Sequence, residues 1–573
     1  MRASFGEIRG VKYASFFFCL FSICSFVGAE EFKVESVINE IVADLPDPVM
    51  RKFFGAGHMA ISTSSDEAAI RVAQGMTCLN TSWDFEAYRN FCAAAKADPD
   101  CLMAYWGITM SLAGSQHEFF EERQNAINRM LDLLEWEKTQ EVKKWTKLER
   151  VYCQAAGVLM TDGARKAGES FLKISEAFPL DVQSRLFSHF LLRDGFDEFG
   201  KPRIGQVKSS EGLFAILGEY PENLSVMAFW VTSQSEGALN GNGLRKDVLP
   251  VARKLVRLHP NYAPFQLVLA HVEARCGNAA LAIQAANYAA LLYEKYQKEQ
   301  GVSVFDCEGW VRAKVYMVNL YETKGNTAEA MKIAQELAMV PITKERIFSR
   351  GAVMLLWEGR TAGARVMLAS SDRKELDAGQ KSLEVLKEDQ WFKDESFAIY
   401  YRDCLAFSLA VRSAVSVGDL KSAKSLNQQF AERVLAFERH REIAKQTSSY
   451  GSWLRARSAL GVMIVELKGL IAELDPEPVI RSTALNWYRG AIERQFRPAN
   501  LLPPAIDYPM ENRLGQFYIN SGQFAKAALT FREALNVRPN HIASLMGYRD
   551  SLLKLGKTDT AKSISERIEA VKR

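Results

Sequence analysis

The stretch 508–541, YPMENRLGQFYINSGQFAKAALTFREALNVRPNH, decides the fold. Leu514, Gly515, Tyr518, Gly522, Ala527, Phe531, Ala534 and Pro539 stand at the offsets of a helix–turn–helix unit of about 34 residues. Small residues at Gly515, Ala527 and Ala534 let two helices approach closely, Phe531 fills the gap between them, and Pro539 stops the second helix before the next begins. Such a unit has a packing role and no chemistry of its own. A second copy lies near the other end, where Gly75, Ala87, Phe91, Ala94 and Pro99 take the same relative places after a shift of 440 residues.

This spacing resembles the tetratricopeptide repeat (TPR). The resemblance implies an all-α fold, a TPR-like α-α superhelix or α-solenoid, and a binding scaffold. Working outward, Gly277-Asn278, Gly325-Asn326 and Gly418-Asp419 each mark a turn ahead of a helix, and Pro179, Pro221, Pro260 and Pro341 each follow one. No stretch sustains the apolar–polar alternation of a strand. The expected organisation is a signal peptide at 1–29, a leader and loop at 30–65, a TPR-like array at 66–360, and degenerate hairpins at 361–493. A proline-rich strap over the surface follows at 494–509, and terminal repeats with a cap close the chain at 510–573.

Arg2, Arg9 and Lys12, the apolar run Ala14–Val27 and the small residues Val27-Gly28-Ala29 read as a cleaved secretory signal. The run is shorter than the roughly 20 residues a membrane-spanning helix needs, so a soluble periplasmic or secreted protein with no stable transmembrane span is expected. Without that segment the chain carries 69 basic and 67 acidic residues. The balance predicts no nucleic-acid partner. Seven cysteines remain, three of them within 24 residues. An oxidising compartment would permit a disulfide between Cys92 and Cys101 or between Cys78 and Cys92, and buried free thiols are the other reading. No CxxC occurs, so thioredoxin-type and c-type haem chemistry lack support.

Three further segments, Phe54-Gly55-Ala56-Gly57-His58, Asp98 to Gly107 and Leu502-Pro503-Pro504-Ala505, resemble a family of exported bacterial TPR proteins of undefined biochemical role. The resemblance implies histidines in the central region, suggestive of a metal or cofactor site. This chain has Ser225 and Phe229 where those histidines would fall and retains His271. No cofactor is therefore expected. His58, His117 and His271 remain the weak candidates for a metal ligand, since imidazoles with a carboxylate such as Glu118 suit zinc.

Aromatic rings in a superhelical groove can grip a peptide, which makes Tyr105 and Trp106, with His58 and Arg513, the expected partner-binding residues. No phosphate-cradling glycine loop, GxSxG or HExxH occurs. The reading is a non-catalytic scaffold for a protein or peptide of the bacterial cell envelope. Its rival is a metal-binding or hydrolytic, glycan-directed, all-helical enzyme.

Overall fold

Phe91 shows how the chain stacks. Its ring is fully buried; a Cβ on Gly75 would lie 2.8 Å from it, and one on Gly107 2.1 Å. The ring is thus pressed between glycines sixteen residues before and after it, one on each flanking helix. Phe531 repeats the arrangement, with Gly515 and Gly547 at 2.6 and 2.4 Å by the same measure. Only a residue without a side chain lets the two backbones come this near the ring.

The computed structural model describes residues 32–51, 59–114, 118–197, 199–235, 247–384, 397–495 and 501–572. The signal-like segment 1–29 lies outside them. Among the described residues the regular structure is α-helical, apart from short 3-10 turns, one π turn at Leu355–Gly359 and an isolated bridge between Phe196 and Pro202. Helices follow one another as Asp66–Asn80 and Asp84–Ala97, Leu102–Ser111 and Phe120–Lys138, Lys147–Asp162 and Ala164–Ala177, and Val182–Leu192 and Ile204–Glu219. They continue as Leu224–Ser235 and Val248–Leu258, Ala263–Arg275 and Ala279–Gln300, and Glu308–Thr323 and Thr327–Met339, successive helices packing on their neighbours. The later half holds Ala398–Ser416, Leu420–Arg439, Tyr450–Glu473 and Ala484–Arg494 before the terminal helices Glu511–Asn520, Phe524–Val537, Ile542–Lys554 and Thr558–Lys572. The protein is an all-α, TPR-like α-solenoid. No described helix is long and apolar enough to cross a membrane.

Local chemistry sets the helix ends. The Ser65 side chain accepts from the Ala68 amide, with Asp66 and Glu67 in the first turn, and Thr146 with Glu149 forms a full capping box. Gly277 ends its turn at φ +81°, and a Cβ there would stand 2.5 Å from Pro539. The last repeat is therefore seated on the turns of the middle of the chain. Asn540 Nδ2 donates to the Gly277 carbonyl at 2.7 Å, and Ile542 packs on Gly325.

The strap departs from expectation. Its described part, 501–509, does not run over the surface: Leu502, Ile506, Asp507 and Tyr508 are buried. Proline removes backbone donors from this segment, and its carbonyls are answered by arginines. Arg538 Nη2 donates to the Ile506 carbonyl at 2.6 Å, and Arg455 Nη2 to that of Pro504 at 3.3 Å. Beneath the strap, Glu466 receives both terminal nitrogens of Arg412 at 2.8 and 2.7 Å, Nε of Arg513 at 2.9 Å and the Tyr508 hydroxyl at 2.7 Å. Glu358 is held in the same way by Arg365 and by Arg455 Nε at 2.6 Å.

Two outcomes follow. Phe91→Ala should lower unfolding stability by about 3–5 kcal/mol and Gly107→Ala by about 1–3 kcal/mol, read as shifts in the urea midpoint; a Gly107→Ala protein as stable as the parent would mean the ring can move aside. The second concerns pH. Burial alone raises the carboxyls of Glu358 and Glu466, but the paired arginines outweigh it and hold both at about 2, against an ordinary 4.5. The unfolded chain thus protonates first as pH falls, so their contribution is complete above about 4.5 and is lost toward about 2, on the order of 3 kcal/mol for each. The urea midpoint should drop through that window, and Glu466→Gln should start lower at pH 7 and drop less.

Candidate functional site

A cavity of about 270 Å³ opens where the turn 81–85, the segment after the helix Leu102–Ser111, the helices Ala263–Arg275 and Ala279–Gln300, and residues 305–312 converge. Ser82 bends the first of these by adopting left-handed backbone (φ 57°), and the Thr81 and Tyr262 hydroxyls meet at 2.6 Å. Trp83 then packs into Tyr262, Tyr293 and Tyr296, at ring separations of 5.4, 5.9 and 4.9 Å. This anchoring delivers Asp84 to the cavity wall.

A second close approach delivers its counter-charges. A Cβ on Gly351 would stand 2.1 Å from the Val304 carbonyl oxygen, so the start of the helix Arg350–Met354 lies directly on the 3-10 turn Val304–Asp306. Arg350 thereby pairs with Asp84 and lies 3.8 Å from Glu308, while Arg312 reaches Glu308 at 3.5 Å. One turn earlier, Arg346 bridges Glu118 at 3.3 Å and Asp306 at 2.5 Å. Phe85, Phe119, Phe190 and Phe305 complete the wall with Leu501 from the strap.

The charges respond to their surroundings. Burial pushes the Glu118 carboxyl above the ordinary range with Arg346 opposing, and it raises Asp306 in the same manner. Burial also disfavours the charge on Glu308, yet Arg312 and Arg350 outweigh it and hold that carboxyl below the usual value. Asp84, then Glu308, fix Arg350 as a cation. Arg350 keeps 38 % of its side chain accessible, on the cavity it lines. Among the described residues no group of three or more His, Cys, Asp and Glu side chains is placed to hold a metal ion.

The residues singled out in the sequence fall elsewhere. His58 and His117 lie outside the described residues. His271 is buried and pairs through Nδ1 with the Tyr316 hydroxyl. Ser225 is bonded at 2.9 Å to Asn80, which also bonds Gln183 at 2.8 Å, so a neutral polar network fills the place where the family resemblance implied imidazole. Tyr105 and Trp106 are 0 % exposed. Their helix is apolar on every face and is enclosed on all of them: the Tyr105 hydroxyl donates to the Pro99 carbonyl at 2.7 Å, and Trp106 packs on Tyr152 and Phe187. They are core rings, which corrects their expected place on a groove wall.

Arg513 is likewise spent inside the fold, on Glu466 and on the Leu368 carbonyl at 2.9 Å. Cys78, Cys92 and Cys101 are free buried thiols, the second of the two readings given for them, and neither permitted disulfide is formed; burial pushes Cys78 and Cys101 up to about 12. The cavity residues Asp306, Glu308, Arg312 and Arg350, and Arg346 behind two of its acids, escaped sequence reasoning. The signal available was faint: two arginines one helical turn apart and two acids two apart, forty residues earlier.

No family model matches the chain, and no curated protein matches it. Solved structures of helical-repeat proteins are similar at low identity. A monomeric mutant of human IFIT1 with Gppp-AAAA is 14% identical, with 92% of this chain and 98% of that chain covered and a TM-score of 0.34. The APC/C hetero-tetramer Cut9–Hcn1 is 13% identical over 85% and 78%, TM-score 0.32, and the TPR domain of P58(IPK) 13% over 86% and 99%, TM-score 0.18. At such values the likeness concerns architecture and carries nothing about what this chain binds. One expectation is nevertheless corrected: human IFIT1 is seen with PPP-AAAA and with m7Gppp-AAAA, and the exclusion of a nucleic-acid partner is withdrawn.

Arg346→Met removes the shared cation from Glu118 and Asp306 and should cost about 3–5 kcal/mol at pH 8. Both carboxyls are already raised and rise further without it, so the folded state holds protons more tightly and stability falls as pH increases through their range. The loss should be smaller at pH 5. Equal losses at the two pH values, measured by urea unfolding, would mean neither carboxyl titrates.

Proposed function

We propose that this chain is a non-catalytic binding scaffold that receives part of a protein partner in its central cavity. The supporting observation is the cavity itself: a space of about 270 Å³ inside a helical superhelix, lined by aromatic rings and by accessible charged side chains. Small-molecule pockets run to roughly 300–1,000 Å³, so this one suits a single inserted side chain or chain end rather than a whole helix. On the reading of residues 1–29 as a secretory signal, the partner belongs to the bacterial cell envelope.

Photo-crosslinking in the producing cell tests this. A photoreactive phenylalanine analogue at Phe85, on the cavity, should give a discrete protein adduct. The same analogue at Leu180, 87% exposed and away from the cavity, should not. The same adduct from both positions, or none from Phe85, would overturn the proposal.

A further inference from the structure

Residues 45–51 cross three helices without regular structure of their own. Leu45 sits by Gly301 at the end of the helix Ala279–Gln300, where a Cβ would stand 3.5 Å from its Cδ2. Arg89 Nη2 of the helix Asp84–Ala97 then donates to the Pro46 carbonyl at 2.6 Å, and Arg71 Nη1 of the helix Asp66–Asn80 to that of Pro48 at 2.5 Å. The Arg51 amide donates to Gln74 Oε1 at 2.6 Å. Each proline keeps the residue before it extended, so an extended chain is held here through its main chain at three points. We infer that this track is a recognition site for an extended, proline-bearing segment of a protein partner, and that residues 45–51 occupy it as a displaceable stand-in.

The two proline-bearing segments differ in what holds them. The strap is fixed by its own buried side chains, Leu502, Ile506 and Tyr508. Residues 46–50 bury only Pro48; Pro46 and Asp47 are exposed, and Val49 and Met50 are 46% and 45% exposed. Little apolar area opposes their release, and the bonds that hold them go to groups every peptide carries. The turn before them stays in place, since Val37 and Val42 are buried and the Asn39 amide donates to the Tyr88 hydroxyl at 2.9 Å. Beneath the segment, burial disfavours the charge on Arg89, yet Glu86 at 2.7 Å outweighs it and keeps the guanidinium a cation. Trp83 and Tyr262 flank the end of the track, with the Arg51 guanidinium over their rings at 5.4 and 6.0 Å. Aromatic rings beside donors aimed at carbonyls are the means by which extended proline-rich chains are recognised. Arg71, Gln74, Glu86 and Arg89 do not line the cavity, so this site stands whether or not the cavity takes a partner.

Fluorescence anisotropy with the full chain tests the inference, the probe being a fluorescein-labelled, amidated peptide of residues 44–51, DLPDPVMR. The tethered segment competes at high effective concentration, so the parent should bind weakly. Pro46→Gly together with Pro48→Gly loosens that segment and should tighten the peptide by about tenfold. Adding Arg71→Met to the loosened chain should reverse the gain; Gln74→Ala takes its place should that chain fail to fold. A peptide with glycine at both proline positions should bind about tenfold more weakly. Displacement has its own readout: on the parent chain, saturating peptide should speed hydrogen exchange at the Arg51 amide, which Gln74 otherwise protects. No binding to the loosened chain, binding indifferent to the added substitution, equal binding of the glycine peptide, or an unchanged Arg51 exchange rate would overturn the inference.

Discussion

Each of two buried glutamates is held between two arginines, and the closed form of the molecule depends on these pairs. Glu466 joins Arg412 of one helix, Arg513 of another and Tyr508 of the strap, while Glu358 joins Arg365 and Arg455. A carboxylate taken out of water is costly unless its partners are complete and well placed. Arginine's fork supplies that completeness, and Arg412 engages both oxygens of Glu466. Arg412, Arg513 and Tyr508 each stand more than forty residues from Glu466, and Arg455 stands 97 residues from Glu358, so satisfying one charge fixes the relation of several helices. A solenoid whose repeats touched only their neighbours would lack this constraint.

The same logic recurs across the interior. Asn80 reaches Ser225, Arg350 reaches Asp84 and Asn540 reaches Gly277, pairs separated by 145, 266 and 263 residues. Each polar group would be stranded if the turn of the superhelix were wider or narrower, so together they select one curvature. Apolar stacking alone is more permissive, since neighbouring helices can slide by small amounts at little cost. The polar pairs convert a stack into a shape.

This division explains what the sequence disclosed. Gly75, Phe91, Gly515 and Phe531 were legible because their packing is local, a ring on one helix against a glycine on the preceding one. The later glycines, Gly107 and Gly547, escaped because the repeat was read as one pair, whereas the ring also meets the helix that follows. The fate of Tyr105 and Trp106 was legible in principle: a helix reading LMAYWGITMS has no polar face to show water. The cavity was not. Asp84, Glu118, Asp306 and Arg350 meet through closure of the superhelix, and no spacing along the chain encodes that meeting.

Closure also determines what kind of recognition is left. In an open superhelix the concave side is free to take an extended partner. Here the chain's own proline-bearing segments already occupy side-chain donors of the helices. Arg89 and Arg71 donate to the carbonyls of Pro46 and Pro48, as Arg455 and Arg538 do to the strap at Pro504 and Ile506. Proline suits both segments because it fixes an extended backbone at low entropic cost and leaves carbonyls open to side-chain donors. An external peptide would have to displace these bonds before making its own. The cavity, walled partly by Leu501 of the strap, escapes that competition, since its accessible charges face space that the described residues do not fill. On the cavity reading proposed above, recognition would pass from a groove that reads a length of chain to a socket that reads one side chain.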